Sequence, residues 1–150
     1  MNQTMFGITP GQCTNFEEQL TDLDTGQSRI VVPQNVTRPT EVEAGGAELL
    51  YWNESCDYRL RAMPQATVGI LRKGTPRSFA SCKAAANTGL GPVNMTRIAD
   101  REARGLVVGA SFCSVTDRGA IAMAVIEHIA GSYGDDPTVT GTLYVWSKTP

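Results

Sequence analysis

A chain of 150 residues is long enough for one domain with its own core, burying roughly two-thirds of the surface its unfolded form would expose. Thirteen basic against fifteen acidic side chains give a formal net charge of −2, so the chain as a whole has no footprint for neutralising a phosphate backbone, and nucleic acid is not an expected partner. The longest unbroken apolar stretch, Ala120 to Ile126, falls far short of the roughly 20 residues that cross a bilayer, so the chain reads as soluble, with no membrane span.

Hydrophobic residues make up 41% and charged residues 19%, a little under ordinary globular values, while 15 glycines and eight prolines point to a turn-rich protein. Residues 1–15 are polar, with Gly7, Pro10 and Gly11, and read as a loose N-terminal arm tied down at Cys13. No charged-then-apolar leader precedes them, and Met1-Asn2-Gln3-Thr4 reads as a start joined to a mature sequence. The half-buried pattern from Phe16 to Leu23 predicts a strand ending in the turn Asp24-Thr25-Gly26. Arg29 to Val32 predicts its hairpin partner, halted by Pro33. Pro33 to Gly46 lacks periodicity and reads as an exposed, mobile connection.

Ala47 to Trp52, Tyr58 to Met63 and Ala66 to Leu71 predict three further short strands, the last closed by Arg72-Lys73-Gly74. Ser78 to Asn87 is the best helix candidate, with Ser78 as cap, alanine enrichment and Gly89 as stop. A second helical turn is predicted from Asn94 or Thr96 to Ala103, ended by Gly105. Ser111 to Thr116 and Ala120 to Ile129 predict a strand pair around Asp117-Arg118-Gly119. In the second of these, Ile121, Met123 and Val125 alternate with Ala120, Ala122 and Ala124, so both faces should be covered, the alanine face where something packs closely. Gly131 to Gly141 reads as a long hairpin loop holding Asp135-Asp136-Pro137, and Thr142 to Ser147 as a final aromatic strand.

No internal repeat or compositional shift marks a second domain, so one β-rich domain is expected over residues 16–150. The expected fold is mainly β, a small barrel or sandwich of about seven or eight strands with one or two short helices and two disulfides. Its expected core is Ile121, Met123, Val125, Leu143, Val145 and Val108.

The cysteines, Cys13, Cys56, Cys82 and Cys113, stand 43, 26 and 31 positions apart, without the close pairs of a structural zinc site. Two disulfides are the simpler reading, which implies an oxidising, extracytoplasmic compartment; four buried thiols are the alternative. Four cysteines allow three connectivities.

Asp24-Thr25-Gly26 has the triplet of an aspartic protease, but Gln27 and Ser28 follow where such a site wants a small residue, so the triplet reads as a tight turn. Asp22-x-Asp24-x-Gly26 resembles half a calcium loop, with Pro33 where the bidentate glutamate should stand. His128, beside Glu127, is the sole imidazole, so any Ser-His-Asp or Cys-His mechanism must run through it. Asn35-Val36-Thr37, Asn53-Glu54-Ser55 and Asn94-Met95-Thr96 match the N-glycosylation acceptor and matter only in a eukaryotic secretory host. Tyr51, Trp52, Tyr58, Tyr144 and Trp146 are candidates for a recognition surface, although aromatic residues on strands are more often core.

The segments Ser78 to Ala85, Leu106 to Gly119 and Leu143 to Trp146 together resemble a poorly characterised actinobacterial extracytoplasmic domain. The likeness rests on a cysteine in a short Ala-rich helix followed by Gly-x-x-hydrophobic-Cys-x-x-Thr-Asp-x-Gly and a hairpin, with Leu23-Asp24-Thr25-Gly26 matching its upstream turn. That group occurs on secreted or membrane-anchored proteins, sometimes beside serine/threonine kinase modules, and has no established activity to carry over. The resemblance implies Cys82 bonded to Cys113 and an architectural Asp-Thr-Gly, which leaves Cys13 for Cys56. The expected function is non-catalytic binding or assembly outside the cytoplasmic membrane, with another protein or a cell-envelope component as partner and with no cofactor or metal. The alternatives are the ligand-sensing domain of a larger receptor, or a hydrolase using His128 or Asp24.

Overall fold

The computed structural model describes residues 2–9, 18–31, 47–54, 57–63, 66–116, 119–131 and 137–146. Strands β1 (Asn2–Ile8), β2 (Glu18–Thr21), β3 (Ser28–Val31), β4 (Leu49–Glu54), β5 (Asp57–Ala62) and β6 (Thr67–Leu71) precede helix α1 (Phe79–Ala86). The short β7 (Val93–Asn94), helix α2 (Ile98–Ala103), and strands β8 (Ser111–Val115), β9 (Ile121–Ala130) and β10 (Thr138–Trp146) follow. They form two five-stranded antiparallel sheets, ordered β1-β10-β9-β8-β6 and β3-β2-β4-β5-β7. The fold is therefore mainly β, as expected, and of the two expected architectures it is the sandwich, because the sheets remain separate.

Alternation along each strand sorts side chains between faces, and one cluster draws on both sheets. Phe6, Phe112, Ala124 and Leu143 from the first sheet meet Leu49, Tyr51 and Leu60 from the second. Tyr51 and Tyr58 pack edge to face at 6.3 Å, and the Tyr51 hydroxyl donates to the Pro137 carbonyl oxygen at 2.7 Å, tying the second sheet to the start of β10. Along one border the layers are laced by polar groups. Ser28 Oγ donates to Gly7 O at 3.0 Å, and Gln19 exchanges two hydrogen bonds with Thr9 at 2.9 and 3.0 Å.

On β9 the size alternation separates two environments. Ala122 and Ala124 face the other sheet, while Ile121, Met123 and Val125 face outward into a second cluster beneath α1. The helix starts where Ser78 Oγ accepts from Ser81 N at 3.1 Å, and it ends at Asn87. It lies over β6, β8 and β9. Gly69 of β6 permits this, since a Cβ there would collide with the carbonyl oxygen of Ala85. Cys113 stands directly beside Gly69 in the register, and its disulfide to Cys82, with a Cα–Cα distance of 5.2 Å, holds the helix against that row. The bond implied by the resemblance is thus present.

Several expectations need correction. Residues 1–15 do not begin as a loose arm, because Asn2–Ile8 pairs along its full length with β10 and buries Phe6 and Ile8. The stretch from Gly131 to Gly141 is not all loop, since β10 begins at Thr138 and carries a bulge between Thr140 and Gly141. Val108 is 48% exposed, outside any core, because Gly105 and Gly109 with positive φ of 80° and 97° turn the chain around it. Cys13, Cys56, the segment 33–46 and the acceptor Asn35-Val36-Thr37 lie outside the described residues.

Candidate functional site

The aromatic residues expected to share a recognition surface are divided among three environments. Tyr51 and Tyr58 are buried between the sheets, and Trp52, on the alternate face of β4, is buried in a cluster with Leu20, Leu50 and Met63. The Arg61 guanidinium lies 5.5 Å from the Trp52 ring centroid. Tyr144 and Trp146 are half-buried beside α1, where Phe79 meets Trp146 edge to face at 6.0 Å. Tyr51, Trp52, Tyr144 and Trp146 therefore do not share one face: the first two are buried in separate clusters and the last two are half-buried beside α1.

His128 is exposed on β9, level with Thr140 of β10, and among the described residues its imidazole has no hydrogen-bond partner. The neighbouring Glu127 carboxylate instead accepts from the Thr142 hydroxyl at 3.0 Å. Asp24 belongs to the turn between β2 and β3 in the other sheet, and no hydrogen bond joins the two residues in a base–acid pair. Cys113 is fully buried in its disulfide, which removes it as a thiolate partner for His128.

The Asp-Thr-Gly turn is a hydrogen-bonded frame. Asp22 Oδ1 accepts from Asp24 N at 2.8 Å, Asp22 O accepts from Gly26 N at 2.8 Å, and Glu48 Oε1 accepts from Leu23 N at 2.6 Å. Gly26 has a φ of 80°, and a Cβ on it would lie 2.8 Å from the carbonyl oxygen of Met5, so the turn abuts β1. Oxygens from Asp22, Asp24 and Glu48 lie within 4.8 Å of one another. Glu48 was invisible to the linear calcium-loop pattern because it arrives from the start of β4. Asp22 and Glu48 each hold a backbone N–H of the turn.

A groove among the described residues lies elsewhere, between the end of β6, α1 and the end of α2, with a volume of about 670 Å³. Leu71, Ala85 and Leu90 give it an apolar floor, Thr75 and Thr88 supply hydroxyls, and Arg72 and Arg104 supply cations. Such a volume lies within the range of small-ligand sites. Sequence reasoning missed this groove because it weighed net charge and not its distribution. Nine of the thirteen basic residues, but only three of the fifteen acidic ones, fall between residues 57 and 110. Arg72 and Arg104 stand 32 positions apart, and α1 with its disulfide forms the wall between them.

No described helix is long and apolar enough to cross a membrane. Compared with protein-family models, curated proteins and solved structures, the chain matches none.

Proposed function

We propose that this chain is a non-catalytic binding domain that works outside the cytoplasm and takes its ligand in the groove beside α1. The observation that carries the reading is the buried Cys82–Cys113 bond directly behind the groove wall. Ser81, Ala84 and Ala85, which line the groove, flank Cys82 on one short helix, so the disulfide fixes the position of that wall. A stable disulfide belongs to an oxidising compartment, and a pre-positioned wall lowers the ordering cost of binding. The resemblance to an actinobacterial extracytoplasmic domain points the same way.

The test is thermal unfolding of the oxidised chain against a panel of small molecules. A ligand at a hundred times its Kd stabilises the fold by about 2.7 kcal/mol, which at this size raises Tm by roughly 5–10 °C. The increase should disappear in Ala84→Trp, which fills the groove from an exposed helix position. A hydrolytic activity of the purified chain that His128→Ala abolishes would overturn the non-catalytic reading.

A further inference from the structure

We infer that the groove takes a compact organic anion: a phosphomonoester or carboxylate group borne on a small apolar body. This rests on the groove being the binding site and adds the chemistry of what it holds.

Arg72 Nη1 lies 3.2 Å from where a Cβ on Gly105 would stand, and Arg104 Nη1 lies 3.6 Å from the same point on Gly91. Both guanidiniums thus lie over glycines, with no side chain there to cover them. Among the described residues neither has a hydrogen-bond or ion-pair partner, and both are exposed. Two acids of this region are engaged elsewhere. Asp57 pairs with Arg59 at 2.8 Å and accepts from Asn94 Nδ2 at 3.3 Å, while Asp100 Oδ2 accepts from Asn94 N at 2.7 Å. Two unneutralised guanidiniums at the mouth of one cleft raise the local concentration of anions, and the planar fork of arginine matches phosphate and carboxylate oxygens bidentately.

One feature favours a compact ligand over a polyanionic chain. Leu71, Ala85 and Leu90 line the floor, which suits an apolar body and not a charged backbone. The adjoining depression, which shares Arg104, also holds Arg59, already paired with Asp57, together with Arg97 and the carboxylate of Asp100, so the long-chain polyanion has to be tested directly.

The experiment uses the full oxidised chain with phenyl phosphate and benzoate as probes, and with benzyl alcohol as the neutral control of similar shape. Affinities are read by calorimetry. Phenyl phosphate should bind, benzyl alcohol should not bind at the same concentration, and Arg72→Gln and Arg104→Gln should each weaken binding about tenfold or more. Lys83→Gln, on the same helix but outside the groove, should leave it unchanged. Near-ultraviolet circular dichroism checks that each variant keeps its fold. If benzyl alcohol binds equally and only Ala84→Trp abolishes it, the groove stands and its anion selectivity is overturned. If phenyl phosphate binds but ignores Ala84→Trp and both arginine variants, the groove itself is overturned as the site. Absence of any arginine-dependent binding at millimolar concentration refutes the anion, and much tighter binding of long-chain polyphosphate refutes the compact ligand.

Discussion

Gly69 shows how one residue sets an interface. It occupies a strand interior, where glycine is usually a weakness, yet the carbonyl oxygen of Ala85 fills the space a Cβ would need. Gly69→Ala should therefore force the C-terminal end of α1 off the sheet against the pull of a neighbouring disulfide. The expected cost is about 1–3 kcal/mol, read as a fall in the denaturant midpoint at unchanged slope. An unchanged midpoint would mean that the helix does not rest on β6. Gly69 was expected to lie in a strand, but nothing in its sequence neighbourhood indicated that the residue above it would be Ala85. The contact spans 16 positions and exists only once α1 has folded back. The same holds for Glu48, whose carboxylate meets the Leu23 amide 25 positions away.

At the scale of elements, the disulfide joins α1 to β8 across 31 positions. The helix is only eight residues long, too short to persist alone in water, so its order comes from packing and from this bond. In the chain-entropy model, closing such a loop contributes roughly 3–4 kcal/mol, so Cys82→Ala with Cys113→Ala should lower Tm by roughly 6–16 °C. Hydrogen exchange offers the finer readout: amides of Lys83 to Ala86 should lose protection before those of β9. Equal loss in both would mean that the helix and sheet unfold as one unit. The helix itself was legible in advance, because a serine cap, an alanine run and a glycine stop are local signals, and they bracket Phe79–Ala86. Strand β1 was not legible. Its inward residues include only two large apolar ones, Phe6 and Ile8, next to an exposed Met5, Gly7 and Thr9, and an edge strand needs no more than that.

For the molecule as a whole, β1 closes one edge of the first sheet and roofs part of the shared core. Removing residues 1–8 takes away Phe6 and Ile8, each worth about 1.5–3 kcal/mol of burial, and leaves the β10 edge unpaired. Against a total stability of about 5–15 kcal/mol, that loss should bring the truncated chain close to unfolding and promote association through β10. Size-exclusion chromatography and circular dichroism check this; a monomeric, fully folded truncation would restore the view of a dispensable arm. Charge is also organised at this scale. A net charge of −2 conceals a basic central segment, and folding gathers Arg72 and Arg104 from that segment onto one groove.

Local patterning alone determined the β-rich class, most strand positions, both helices and the tight turn at Asp-Thr-Gly, because each depends on neighbours a few residues apart. The pairing of Cys82 with Cys113 came from resemblance and not from spacing. Tertiary structure decided the rest: that two sheets face each other instead of closing into a barrel, that both faces of β4 are buried, Tyr51 between the sheets and Trp52 in a separate cluster, and that a groove is bounded by β6, α1 and α2. Those outcomes depend on which faces meet across long sequence separations, and identical local patterns are compatible with more than one such arrangement.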